Sequence, residues 1–222
     1  MRKLTLQFAF IFITAINTDA QYEIGYLSGI GITDILEKSK SGNINDTYSE
    51  GLGYTIGSFI NLTLLKEHLY FKSSIGFSEK GAYYPVYGSG GNIVGKRREN
   101  VYYLESPFQL QFRFFPIFKI QTGIYNAFRL NMKINEFGGY DDSYVNYDSR
   151  YDIGYTAGII FEYKEYILEA TYGKSFRSIG RVGYWNDDLQ KIVKSDETRF
   201  YNQTLFFTFG YKIFKNKDKI KD

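Results

Sequence analysis

The chain of 222 residues contains no cysteine, one histidine, one tryptophan and only three prolines. Without cysteine, an exported protein cannot be held by disulfides, carry a thiolate metal site or be processed as a lipoprotein. The one histidine, His68, falls in a short connection between two predicted strands. A Ser-His-Asp triad therefore cannot form at the opposite end of those strands. These absences indicate a protein that is not an enzyme. We predict no catalytic residue, no metal and no cofactor.

The excess of positive over negative charge is small, and long apolar runs are also scarce. The formal net charge of +3 is too small to indicate nucleic acid as a partner. Past residue 20, no segment is long and apolar enough for a membrane helix, and none has a convincing helical period.

The first residues have the order of a secretory signal. Arg2 and Lys3 precede an apolar run from Leu4 to Ile16, and cleavage after Ala20 fits the small-residue rule. A transmembrane anchor needs about 20 apolar residues, which is longer than this run. We predict a cleavable signal peptide over 1–20, one domain over 21–214 and a charged periplasmic tail over 215–222.

Aromatic residues and glycine are abundant, and they occur in a strand-like pattern. The chain holds 22 Tyr, 20 Phe and 22 Gly, and the last run, Phe200 to Phe214, alternates apolar and polar residues with a period of two. Such a strand has one side toward lipid and one toward a polar interior. The alternation recurs in eight runs: 22–33, 51–64, 69–80, 100–114, 118–133, 151–164, 166–177 and 199–214.

The connections between these runs alternate in length. Those near residues 66–68, 115–117 and 165 are short, and those over 34–50, 81–99, 134–150 and 178–198 are long and polar. Outer-membrane barrels have short periplasmic turns and long external loops. We therefore predict an all-β fold: an eight-stranded antiparallel up-and-down transmembrane β-barrel whose last strand closes against the first.

Strand direction then places aromatic residues in two girdles, as expected where rings meet the two membrane interfaces. The alternative is a soluble β-sandwich, which would hide its apolar face and would not need two girdles. The predicted external girdle contains Tyr102, Phe128, Tyr151, Phe176 and Tyr201, and the periplasmic girdle contains Phe112, Phe114, Phe118, Tyr163, Tyr166 and Tyr211.

An eight-stranded barrel leaves room only for its own side chains or a small ligand. Inward charges must then pair, and we predict Glu105 beside Arg129, and Glu162 with Glu169 among cations. A packed polar plug and a proton or ion path are both compatible with this pattern. Pro107 interrupts its strand and predicts a bulge. The predicted interior polar network consists of Lys72, Glu105, Arg113, Lys119, Arg129, Glu162 and Glu169.

Several loop-side residues invite a ligand. Lys96, Arg97 and Arg98 form a dense basic run, and Lys174 lies near the top of its strand; both could contact lipopolysaccharide phosphates, or simply be solvated. The acidic pairs 141–142 and 187–188 could bind Ca²⁺ through oxygen, but they lack a defined ligand spacing, so we interpret them as solvated loop residues.

The segments YYLESPFQLQFRFF (102–115) and IGFSEKGAYY (75–84) resemble strands of PorT-like outer-membrane β-barrel proteins, and Pro107 falls on that motif's proline. The resemblance implies an integral protein of a Gram-negative outer membrane, and the named member of that family is tied to a secretion and gliding apparatus. We expect a structural or interaction element working through external loops, with outer-membrane lipid, lipopolysaccharide and the barrel-assembly machinery as partners. The alternatives are an accessory component of a secretion system, which would add secretion-system proteins as partners, and a narrow small-solute porin.

Overall fold

The computed structural model describes residues 21–39, 44–45, 49–65, 68–87, 92–135, 144–146, 149–186 and 191–216. The predicted signal peptide, both acidic pairs and most of the predicted tail lie outside the described residues. No helix in the described part of the chain is long and apolar enough to cross a membrane.

Eight long strands form a closed antiparallel ring, as the alternating sequence predicts. Each strand pairs with its neighbours along the chain, and the first pairs with the last from Glu23–Lys215 to Ser39–Thr198. Three short strands, β2, β7 and β10, extend this sheet beyond the ring. The strands are β1 (Tyr22–Ser39), β2 (Ile44–Asn45), β3 (Ser49–Leu65), β4 (Leu69–Tyr87), β5 (Ile93–Phe115), β6 (Phe118–Asn135), β7 (Tyr144–Asn146), β8 (Tyr151–Tyr163), β9 (Tyr166–Ser175), β10 (Gly180–Asn186) and β11 (Lys191–Lys215).

The two ends of the ring differ, and we name them by their connections. The turn end carries the connections 66–68, 116–117 and 164–165, and it also holds both ends of the described chain, where the Asn216 N–H donates to the Tyr22 carbonyl at 2.9 Å. The loop end carries the longer connections. This arrangement confirms the predicted up-and-down order.

The outward face of the ring is apolar and exposed, which is the reverse of a water-soluble protein. A contiguous band of this kind requires a non-aqueous surrounding. Between the girdle residues Tyr201 and Tyr211 the strand rises ~3.3 Å per residue at a tilt of ~40°, which spans roughly 25 Å along the barrel axis. That height equals the apolar band of outer-membrane barrels. Exposed members of the band include Ile30, Ile56, Phe77, Ile124, Ile159, Leu168 and Phe207.

The strands continue beyond the predicted limits at the loop end, so much of the predicted loops 34–50, 81–99 and 178–198 is strand instead. β1 reaches Ser39, β4 reaches Tyr87 and β5 begins at Ile93. The prediction stopped early because the polarity of the two faces inverts there. Beyond the external girdle the outer face includes polar residues such as exposed Lys96. The inner face there includes apolar residues such as buried Val101, beside the buried Arg97–Glu99 ion pair.

Thr33 of β1 repairs an irregularity between its neighbours β3 and β4. The register between those strands shifts between Glu50 and Tyr54, so Gly81 of β4 lacks its regular partner there. The Thr33 hydroxyl donates to the Gly81 carbonyl at 2.5 Å and accepts from the Gly81 N–H at 2.9 Å. One side chain thus satisfies both backbone groups of a residue two strands away.

The predicted bulge at Pro107 is wrong. The β4–β5 register is the same at Ser73–Phe108 and at Gly76–Glu105, and only the pairings of Ser74 and Ile75 with Pro107 and Ser106 are missing. Proline lacks the N–H that these pairings need, so the ladder loses a bond without gaining a residue.

A register shift occurs elsewhere, between β5 and β6. Tyr102 pairs with Asn131 and Tyr103 with Arg129, so Leu130 is an extra residue. A one-residue shift exchanges the two faces of a strand. Met132, predicted on the outward row, therefore packs against the interior.

Candidate functional site: the barrel interior

The interior side chains form layers, and four of them matter for function. From the turn end upward they are an ion cluster, a small cavity, a polar network centred on Asp152, and an apolar cap. Together they determine whether anything can pass through or bind in the lumen.

The turn-end ion cluster joins five strands. Glu162 of β8 receives the ammonium groups of Lys119 and Lys212 and, at 3.1 Å, the Arg113 guanidinium. Lys212 also reaches Glu23 of β1 at 3.2 Å, and so does Lys215 at 3.1 Å. Because Glu162 and Glu23 share Lys212, the cluster connects β1, β5, β6, β8 and β11 across the lumen.

Above this cluster lies a cavity of about 100 Å³. The Lys72–Glu169 ion pair and the Lys80–Glu105 ion pair both line it, together with hydroxyl groups such as Thr156. Two facing glycines line it where their strands approach closely: a Cβ on Gly57 would lie 2.7 Å from the Cα of Gly76. The wall exposes more apolar than polar surface, and its ion pairs and hydroxyl groups supply the hydrogen-bond partners that buried water molecules need.

The Asp152 network lies above the cavity. The Asp152 carboxylate accepts from Ser175 Oγ at 2.6 Å, from Asn202 Nδ2 at 2.7 Å and from the Tyr125 hydroxyl at 3.1 Å. Lys80 Nζ is 3.8 Å away and lies over the Tyr125 ring at 4.4 Å. Asp152 is fully buried, so its charge depends on these donors rather than on water.

The apolar cap closes the lumen at the loop end. Its residues are buried among one another like the core of a soluble protein, and Tyr84 and Met132 pack against them. Its polar side-chain atoms are the hydroxyls of Tyr103 and Tyr125, which already bond to Asn202 and Asp152, so the cap offers little to solvate an ion or a polar solute. The cap consists of Ile35, Ala82, Val101, Tyr103, Tyr125, Ala127, Ile179 and Phe200.

The structure places six of the seven predicted network residues in two layers, the ion cluster and the cavity. Lys72 pairs with Glu169, and Arg113 and Lys119 meet Glu162. Glu105 forms an ion pair with Lys80 of the neighbouring strand β4.

Arg129 is half-buried near the loop end, where its backbone N–H donates to the backbone carbonyl of Arg150 at 2.7 Å. Glu105 lies opposite Ala127 in the β5–β6 register, two residues along β6 from Arg129, its predicted neighbour.

Of the predicted lipopolysaccharide contacts, Arg97 is wrong. It is 3% exposed, and its Nη2 donates to Glu99 at 2.7 Å inside the upper barrel. Arg98 faces outward and pairs with Glu79 at 3.1 Å. Lys96 is exposed, and Lys174 is partly exposed on the outer face.

Sequence reasoning assigned no role to Tyr103, Tyr125, Ser175 and Asn202. Their positions in the alternation do point inward, but aromatic rings were expected mainly at the girdles. Among the residues that the structure describes, no group of three His, Asp or Glu side chains is placed to hold a metal ion.

No protein-family model matches this chain, and no curated protein is similar to it in sequence. Solved structures of similar architecture are small outer-membrane barrels. Ail of Yersinia pestis, in complex with the heparin analogue sucrose octasulfate, is 15% identical with a TM-score of 0.41 over 86% of this chain and 99% of that one. Neisserial surface protein A is 12% identical with a TM-score of 0.46 over 85% and 97%. OprG of Pseudomonas aeruginosa is 10% identical with a TM-score of 0.39 over 87% and 95%. At this level of similarity, no ligand or activity transfers to this chain.

Proposed function

We propose that the protein is an integral, non-enzymatic outer-membrane barrel with a closed lumen, acting as a structural or interaction element through its loop end. The observation that carries this proposal is the filled interior. In the part of the chain that the structure describes, an apolar cap closes one end of the lumen and an ion cluster crosses the other, with a small cavity between them. A porin needs a continuous aqueous path, for which this arrangement leaves no room.

Planar-bilayer recordings of the purified protein test the closed lumen. The expected result is no stable conductance from protein whose heat-modifiable gel migration shows that it is folded. Stable unitary steps from folded protein would favour the narrow-porin alternative and overturn the proposal.

The proposed location requires export and membrane insertion. Fractionation should recover the protein in the outer membrane, with the turn end in the periplasm, and the mature protein should begin at Gln21. A protein found in the soluble fraction would contradict the location, whatever its conductance.

A second candidate is an accessory component of a secretion or gliding apparatus, within the PorT-like family. It rests on the motif residues 102–115, which form β5 around Pro107. Co-purification of the tagged protein with secretion-system proteins supports this role, and its absence after crosslinking in intact cells would exclude it.

We also assign lipopolysaccharide contacts to Lys96, Arg98 and Lys174. Lys96 lies six residues beyond Tyr102 of the external girdle. With a rise of ~3.3 Å per residue and a tilt of ~40°, that distance is about 15 Å along the barrel axis. Phosphates of the outer leaflet are the anions available on that face. Replacing the three residues by Gln should reduce copurified lipopolysaccharide if these contacts form, and an unchanged amount would remove the assignment.

A further inference from the structure

The turn-end ion cluster holds more positive than negative charge. Within the described part of the chain, its four cations form ion pairs with two carboxylates, Glu23 and Glu162, which leaves an excess of two positive charges among these groups. The neighbouring Lys72–Glu169 pair is balanced and does not change this excess. The four cations are Arg113, Lys119, Lys212 and Lys215.

Much of this charge is removed from water. The side chains of Lys119 and Lys212 are only 2% and 6% exposed. A buried charge without a full partner is strongly unfavourable, because its hydration is lost and not replaced. Arg113 adds a specific deficit, since its Nε is buried and has no hydrogen-bond partner among the described residues.

The neighbouring uncharged groups reduce the repulsion without cancelling it. The Tyr70 ring lies under two of the cations, 4.1 Å from Lys119 Nζ and 4.8 Å from the Arg113 guanidinium carbon. A ring face attracts cations but carries no net charge. The Asn61 amide donates to Glu23 at 3.4 Å and so occupies an acceptor instead of supplying one.

Among the described residues of the cluster, the cations nearest the turn end are the most exposed. The side chains of Arg113 and Lys215 retain 25% and 51% exposure, whereas those of both carboxylates are 9% exposed or less. An approaching solute therefore meets positive groups first. The planar guanidinium suits the paired oxygens of a phosphate or carboxylate.

We propose that the turn-end mouth of the barrel binds a phosphate-type oxyanion at Arg113. The anion offsets the excess charge of the cluster and supplies acceptors to the Arg113 side chain. Its source is either free phosphate on the aqueous side or the phosphate of a lipid headgroup in the adjacent leaflet, both of which present the same oxygens.

Isothermal titration of inorganic phosphate into the full-length protein tests the proposal. The protein is held in dodecyl maltoside, which contains no phosphate, at constant ionic strength maintained with sodium chloride. We expect saturable binding at one site, weakened about tenfold or more by Arg113→Gln, because a charge-assisted bond is lost. Lys164→Gln is the matched control, since Lys164 is an exposed cation in a turn at the same end, outside the cluster.

A second measurement separates the two sources. The urea midpoint of unfolding is compared in phosphatidylcholine vesicles with and without phosphatidic acid, a phosphate-monoester lipid. A midpoint raised by the lipid in wild type but not in Arg113→Gln assigns the site to a headgroup. Binding in the titration without this lipid effect assigns it to free phosphate.

The outcomes that overturn the proposal are equally specific. One such outcome is wild-type protein that shows neither saturable phosphate binding in the titration nor a higher urea midpoint with phosphatidic acid. It would mean that the cluster is neutralised internally, by loss of a lysine proton or by the chain's own C-terminal carboxylates. Equal weakening by Arg113→Gln and Lys164→Gln would show general attraction to a basic rim. The wild-type titration decides even if Arg113→Gln does not fold, which its gel migration would reveal.

Discussion

Asn202 of β11 donates its side-chain amide to Asp152 of β8 across a 2.7 Å hydrogen bond, although strand β9 separates the two in the ring. The same amide nitrogen lies 3.1 Å from the Tyr103 hydroxyl of β5. A buried contact of this kind fixes three non-adjacent strands relative to one another. The donors of this layer share the Asp152 carboxylate as an acceptor, so the layer depends on Asp152 more than on any single donor.

Replacing Asp152 should therefore destabilise the barrel strongly. Asp152→Ala removes the acceptor that the Asn202, Ser175 and Tyr125 donors share, together with the carboxylate nearest Lys80 in this layer, and we expect a loss of about 3–5 kcal/mol in the free energy of unfolding. Asp152→Asn keeps one carbonyl acceptor and should cost less, roughly 1–3 kcal/mol. Urea unfolding in lipid vesicles measures both. Glu165→Gln, in an exposed turn, serves as control, and a cost for Asp152→Ala no larger than that of this control would contradict the network.

The repair made by Thr33 is open to the same test. Thr33→Val keeps the shape but leaves both backbone groups of Gly81 without their partner, so we expect a loss of about 1–3 kcal/mol. Thr33→Ser retains the hydroxyl and should stay near wild type. If the two variants unfold at the same urea concentration, the hydroxyl contributes nothing to the irregular register.

The outward band should reject charge near its middle. Ala157 faces outward in β8, midway between the girdle residues Tyr151 and Tyr163, and it is small enough that replacing it removes little packing. We expect Ala157→Arg to cost about 2–4 kcal/mol in lipid vesicles. Val94→Arg, beyond the upper girdle, should be nearly neutral. Similar costs at the two sites would mean that the band does not face lipid.

The absence of cysteine makes the sidedness directly measurable. Single-cysteine variants at Val94 of the loop end and Glu165 of the turn end would carry the only thiols in the chain. In intact cells, a membrane-impermeant maleimide should label Val94→Cys and leave Glu165→Cys unlabelled until the outer membrane is permeabilised. The opposite pattern would reverse the orientation.

The ring itself was predictable because its physics is local. A period of two, with lipid on one side, marks each strand independently, and the turn lengths order the strands. The interior partners were harder, as Glu105 shows: its ion pair with Lys80 depends on the side-chain contacts of β4 with β5, whereas the prediction used the register of the β5–β6 turn alone.

The loop end shows a different limit. The alternation used for prediction assumes that inward residues are polar. It misses the continuation of the strands at the loop end, where apolar residues fill much of the interior. Ile35 and Val101 lie in strands that continue past the predicted limits. In the membrane-spanning pattern an apolar residue indicates the outer face, whereas these two lie on the inner face. The extra residue Leu130 leaves no sequence signal, because a bulge is decided by how two strands fit together.

The seam between β1 and β11 gives the chain no structural beginning. Its pairing runs from the turn end to the loop end, and residues 22 and 216 are hydrogen-bonded neighbours at the rim. A circular permutant that links these ends and opens in a loop-end connection would preserve every strand pair of the ring. Such a chain would refold in detergent like the natural one, yet it would present a different final strand to the assembly machinery. Comparing its refolding with its insertion in cells would separate the order that the fold requires from the order that biogenesis reads.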